Sequence, residues 1–145
     1  MGASPALPDL KAGAEMEMRD ARERLEAILG ERIAVLDGSW GVLIQREVRG
    51  EEAYRGERFR EHPRDVAGDP DLLNLTRPEI VRDIHRSYFD AGADIASTNT
   101  FTATRIGQAD YALEDYAAEM SLAGARIARE VADEYGGLVA GSIGP

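Results

Sequence analysis

Two short segments carry the residue types from which a small-molecule site is built. Asp37-Gly38-Ser39-Trp40-Gly41 follows the apolar run Ile33–Leu36. A carboxylate in that place holds a substrate ammonium through a charge-assisted hydrogen bond, and glycines let backbone amides approach a substrate carboxylate. Position alone also allows a plainer reading, a strand-to-helix turn with Asp37 as the helix cap. The glycine spacing is not a dinucleotide fingerprint. Ser97-Thr98-Asn99-Thr100 follows a second apolar run. It makes a neutral hydrogen-bonding patch suited to a zwitterion, or, more simply, a turn that caps the next helix. His62 and His85 read as structural or surface histidines. Arg55-Gly56-Glu57-Arg58-Phe59 reads as a solvated loop held by local ion pairs, each worth little, before it reads as an anion site. The sequence contains no Ser-His-Asp set, Walker loop or two-histidine metal pattern.

The apolar pattern around these segments defines the elements that hold them. Ala14, Met18, Ala21, Leu25 and Ile28 line one face of a helix over 14–29, which Gly30 is placed to stop. Residues 1–13 read as a disordered tail. Ile33–Leu36 suits a strand covered on both faces, and residues 40–48 a short helix. Residues 49–75 form a long polar connection. Thr76-Arg77-Pro78-Glu79 has the form of a capping box, with Pro78 in the first turn. The helix behind it buries Ile80, Val81, Ile84 and Tyr88. A strand at 94–97, a helix over about 114–134 broken at Gly136-Gly137, and a strand from Leu138 complete the pattern. Ala117, Met120, Gly124, Ile127 and Val131 line the long helix.

Strands separated by helices imply right-handed crossovers and a parallel sheet. A doubly wound sheet and a (β/α)8 barrel both fit, and both bind ligands at the carboxyl ends of the strands. A barrel takes ~250 residues, so this chain accounts for about three βα units. The reading is α/β: the N-terminal portion of a (β/α)8 TIM-type barrel, preceded by a tail and helix over 1–30, with the partial barrel over 31–145. The sequence is accordingly expected to be truncated, split or dependent on a partner.

Composition narrows the partners. A net charge of −10 over 145 residues argues against nucleic acid. No run approaches a membrane span, and the first 20 residues do not form a secretory signal, so a cytoplasmic location is expected. The chain has no cysteine, which removes disulfides and any thiolate metal site within it. Two histidines are too few for zinc without carboxylates.

Taken together, IAVLDGSWGVLIQ (33–45), YRGERF (54–59), DLLNLTRPEIV (71–81), YFDAGADIASTNTF (88–101) and QADYALE (108–114) resemble, in order, the start of the homocysteine-binding barrel of cobalamin-dependent methionine synthases. VAGSIGP (139–145) is similar to that barrel's third strand exit. The RGERF and DLLNLTRP stretches point to the cobalamin-dependent branch. The resemblance implies a zinc ion, held by three cysteine thiolates on later strands, that presents homocysteine as a thiolate. It implies methyl transfer from methylcobalamin to give methionine, with methyltetrahydrofolate as the ultimate methyl source. It carries substrate binding over to Asp37, Gly38, Ser39, Thr98 and Asn99, and assigns no catalytic residue or metal ligand here. Ser97 stands where many members have glutamate, and Trp40 and Val42 where methionine and threonine are common, changing the pocket floor.

Three functions are therefore expected in descending order. The first is a part of methionine synthase that binds no cofactor by itself and is inactive alone. The second is a subunit of a split barrel whose complement brings the cysteines. The third is a non-enzymatic amino-acid-binding or interaction module. Homocysteine and the remainder of the synthase are the implied partners.

Overall fold

The computed structural model describes residues 10–144, with side chains from residue 18 onward. The first nine residues of the expected tail lie outside the described residues. The chain divides into two compact units, Met1–Ala34 and Val35–Pro145.

The first unit carries helix α1, Leu10–Glu31. It is longer than the pattern predicts, since residues 10–13 are helical and Gly30 does not end it. Nothing lies within 4 Å of a Cβ placed on Gly30, and the Arg32 amide still donates to the Ile28 carbonyl at 2.9 Å. Four-residue spacing lets Arg19 pair with Glu23 and Arg22 with Glu26. Of the predicted stripe, Leu25 and Ile28 are half-buried and Met18 is exposed.

In the second unit the expected first strand is reduced to one residue. Leu36 makes an isolated parallel bridge to Ile95, flanked by bonds from the Asp37 amide to the Ile95 carbonyl and from the Ile95 amide to the Val35 carbonyl. The expectation of cover on both faces is not met: Val35 and Leu36 are 48% and 53% exposed. The segment lies at a sheet edge and pairs on one side only.

Strands β1 (Ile95–Ser97) and β2 (Leu138–Ala140) run parallel, with Ile95 opposite Leu138 and Ser97 opposite Ala140. The bridge at Leu36, β1 and β2 therefore lie side by side in chain order. Helix α2, Trp40–Glu47, follows the first segment. The long connection is not a plain loop. It contains short helices α3 (Glu51–Arg55) and α4 (Leu73–Thr76), and it buries Phe59, Val66, Leu72 and Leu73. Each such side chain removed from water is worth about 1.5–3 kcal/mol, which is why an apparently polar stretch packs.

Helix α5, Pro78–Asp90, has Pro78 in its first turn as expected, but no capping box. Thr76 is the last residue of α4 and turns its hydroxyl back to the Leu72 carbonyl. Arg77 is left as the cap, without a side-chain bond. Val81, Ile84, His85 and Phe89 face inward, while Tyr88 is only half-buried. A short helix that periodicity does not reveal, α6 (Arg105–Ala109), is capped by the Thr104 hydroxyl, which accepts from the Gly107 amide at 3.0 Å. A 3-10 turn at Glu114–Tyr116 leads into α7, Ala117–Tyr135, and the predicted face of α7 is buried throughout. Gly136 closes α7 at φ 65°, ψ 24°, a left-handed geometry that glycine adopts without steric cost.

The fold is thus mixed α/β, mostly helical around a small parallel sheet. Phe89 of α5 and Val131 and Ala132 of α7 pack with Ala96 of β1, so both helices cover one sheet face. A larger core joins α5 and α7 to the long connection through Leu72, Leu73, Val81, Leu113 and Met120. No described helix is long and apolar enough to cross a membrane.

Candidate active site at the carboxyl ends of the strands

Asp37 leaves the first segment with its amide on Ile95, and its buried carboxylate joins two strand exits. Oδ1 accepts from the Ser97 hydroxyl at 2.6 Å and Oδ2 from the Trp40 indole at 3.3 Å. Ser97 here supplies a donor to Asp37. Gly38 packs on the Tyr88 ring, whose hydroxyl would lie 3.3 Å from an added Cβ and donates to the Ser39 carbonyl at 2.8 Å. Ser39, not Asp37, is the cap residue of α2, and it makes no side-chain cap bond.

The second segment does not cap a helix either. The Thr98 and Thr100 hydroxyls lie 2.6 Å apart. The Thr98 hydroxyl accepts from the Ser142 amide and the Thr100 hydroxyl donates to the Ser142 carbonyl, so this exit is tied to the exit of β2. The Asn99 amide group donates to the Pro70 carbonyl at 2.7 Å and to Asn74 Oδ1 at 3.2 Å. The long connection is thereby anchored over the strand ends.

Between these residues lies a cavity of about 210 Å³. Trp40, Ile44, Asp71, Ser97, Thr98 and Asn99 are among the residues that line it. Of the five predicted binding residues, Thr98 and Asn99 line the cavity. Asp37 adjoins it through Ser97 and Trp40, and Gly38 and Ser39 frame the same strand exit. Val42, expected in the floor, is exposed on α2 and is not among the lining residues described.

Sequence reasoning missed the buried acids of the long connection. Asp69 and Asp71 are 0% and 1% exposed. Asp71 Oδ2 accepts from both the amide, at 2.6 Å, and the hydroxyl of Thr102. Asp69 Oδ1 accepts from the Gln108 side chain at 3.1 Å and from the Asp71 amide at 3.2 Å. Burial, reinforced by the charge of Asp69, pushes the Asp71 carboxyl up to about 6 against the pull of its Thr102 bonds. Burial raises Asp69 as well, against the bond from Gln108. The one signal available was a pair of acids flanking Pro70, directly before Leu72 and Leu73. It marks a turn, and burial cannot be read from it.

The remaining candidates are bound into the fold, and Arg55–Phe59 is not the solvated loop expected: Phe59 is buried and Arg58 pairs with Glu119 of α7 rather than locally. His62 bonds the Tyr111 carbonyl at 2.7 Å. Arg55 pairs with Glu51 and donates to the carbonyls of Phe59, His62 and Arg64. Arg58 grips Glu119 with two bonds of 2.7 and 2.8 Å. An open cleft of about 1020 Å³ lined by Arg49, Arg55, Arg58, Arg60 and Arg77 is larger than the strand-end cavity. Arg55, Arg58 and Arg60 there are already ion-paired, so the strand-end cavity is the candidate ligand site, at the end where α/β sheets and barrels bind ligands.

A small, mostly apolar pocket lies beyond the strand ends of this parallel α/β unit, the end at which α/β sheets bind ligands. The sequence model of the homocysteine S-methyltransferase family matches residues 34–145, and the chain belongs to that family. The zinc implied by the resemblance does not fit the residues present. The chain has no cysteine, and the described residues contain no group of three or more His, Cys, Asp or Glu able to hold a metal. Nor does a cavity of about 210 Å³ take a corrin macrocycle.

Proposed function

We propose that this chain forms the amino-acid end of a homocysteine pocket within a (β/α)8 methyltransferase barrel, in the branch of cobalamin-dependent methionine synthases. One observation carries the reading: the 2.6 Å bond between Ser97 and Asp37 draws two strand exits together beside Thr98 and Asn99. Three further features support it. The strands are neighbours in chain order, with helices over one face, as in a barrel wall. Leu36, Ile95, Ser97 and Ala140 remain at least partly exposed, which suits a sheet whose other face turns toward a barrel interior. The RGERF and DLLNLTRP stretches favour the cobalamin-dependent branch.

In this reading the chain binds and orients the substrate. Thr98 and Asn99 line the pocket, and Asp37, Gly38 and Ser39 hold the adjoining rim. The thiolates for zinc, and the surface that meets cobalamin, belong to later strands, in continuing chain or in a complementing subunit. No chemical step is assigned to the residues described.

The test is complementation. The 145-residue chain is mixed or co-expressed with a polypeptide carrying the later strands and the zinc cysteines of a methionine synthase, and methionine formed from methylcobalamin and homocysteine is measured. Methionine is expected from the mixture and not from either part. Turnover by this chain alone, or none by a mixture that associates, rejects the proposal.

A further inference from the structure

We propose that the arginine-lined cleft binds a small, multiply charged phosphate anion, a ligand separate from any held at the strand ends. Neither site requires the other, so one can fail while the other stands.

Five arginines and two acids, Glu52 and Glu57, are among the residues that line this cleft of about 1020 Å³. On a chain of net charge −10 that is a local reversal of sign. The chain as a whole repels anions, and salt confines the attraction of the cleft to about 10 Å, so only an anion at close range is held.

The arginines divide into two sets. Arg58 is taken up by Glu119 and Arg60 by Glu57. Arg55 pairs with Glu51 and donates to three carbonyls. These three build the wall. Arg49 and Arg77 pair with no carboxylate of a described residue. Arg77 is half-buried, where a charge is normally paired. Its Nε donates to the Ala53 carbonyl at 3.2 Å, which fixes the plane of the guanidinium and leaves both Nη groups without a described acceptor. Two N–H groups held in that way match two oxygens of one phosphate.

The cleft is also set in place beside Arg77. Gly56, at φ 55°, brings the connection against α4, where an added Cβ would stand 3.2 Å from Thr76 Cβ, and Thr76 directly precedes Arg77. Arg49 is exposed and supplies a second fork. One carboxylate would satisfy only one guanidinium. Two forks in a volume of this size suit a chain of two or three phosphates. Glu52, the lining acid with no described ion pair, opposes the ligand.

The experiment is calorimetric titration of the 145-residue chain with inorganic triphosphate at pH 7.5 in low salt. Saturable one-to-one binding is expected, weakening about tenfold when salt is raised to about 200 mM. Arg49→Glu should weaken it about tenfold, whereas Arg126→Glu, the same charge change at an exposed position of α7 outside the cleft lining, should stay within about twofold. Arg77→Lys keeps the charge and loses the fork, and should weaken binding about fivefold. Glu52→Gln removes the opposing charge and should tighten it. Absence of saturable binding, indifference to Arg49→Glu, or an equal loss in Arg126→Glu overturns the site. Tricarballylate, which carries three carboxylates, binding as tightly as triphosphate overturns the choice of phosphate. If Arg77→Lys does not melt as cooperatively as the parent, Arg49→Glu and Glu52→Gln, both at exposed positions, decide.

Discussion

His85 has neither ring nitrogen hydrogen-bonded within the described structure, although the side chain is fully buried. Its ring meets Trp40 edge-on at 4.6 Å. Burial holds its pKa down to about 4, with Asp37 pulling the other way. The unfolded chain therefore takes up a proton near pH 6.5 that the folded chain refuses, and stability falls as pH drops from about 6.5 to about 4, by up to roughly 3 kcal/mol. Asp71 has the opposite sign. Its raised folded pKa lets the native state bind a proton first, so lowering the pH from about 6 toward 3.8 relieves a cost present at neutral pH. Thermal melts across this range should show His85→Leu with a flatter acid limb than the parent, and equal slopes would refute the role given to His85. Ser97→Ala removes the bond that joins the two strand exits. Hydrogen bonds to charged groups contribute about 1.5–3 kcal/mol, so urea unfolding should report a loss of that order. A change under about 0.5 kcal/mol, the range of neutral surface substitutions, would mean the contact is incidental.

At the scale of elements, two glycines in helices should respond to alanine with opposite signs. Gly124 lies where α7 passes the roof of the site. An added Cβ would stand 2.7 Å from both Asn74 Nδ2 and Thr100 Cγ2, and Asn74 is itself bonded to the carbonyls of Asn99 and Met120. Gly124→Ala should therefore destabilise by about 1–3 kcal/mol and disturb the pocket. Gly30, inside α1 with open space around it, should gain about 0.5–1 kcal/mol of helix stability as alanine. Denaturant midpoints and far-ultraviolet dichroism distinguish the two. A stabilised Gly124→Ala would show that α7 and the connection over the strand ends can separate freely.

At the scale of the molecule, the uncovered side of the sheet and the missing thiolates lead to one expectation. A parallel sheet is normally covered on both faces, and here the described helices cover one. The purified 145-residue chain should retain no stoichiometric zinc on metal analysis. Bound zinc at one equivalent would require a site that its two histidines and its carboxylates do not form in the described structure. Association with the later strands should bury Leu36 and Ile95, and hydrogen exchange at those amides would slow on complementation. Unchanged exchange would place the partner elsewhere.

The sequence by itself determined the elements with strong periodicity, the buried face of α7 and the glycine that ends it, and the family, whose motifs fall in register from Ile33 to Pro145. It also determined that no thiolate metal site exists in this chain, since composition alone excludes one. Tertiary structure decided what local pattern cannot carry. Thr76 gave up its place in a capping box because α4 claims it, and the 49–75 connection proved packed because its scattered apolar residues share one core despite their spacing. His85 and Asp71 look like ordinary polar positions in the chain. Burial is a property of everything packed around a residue, so only the assembled fold could shift their proton affinities and set Asp71, not Asp37, against the cavity.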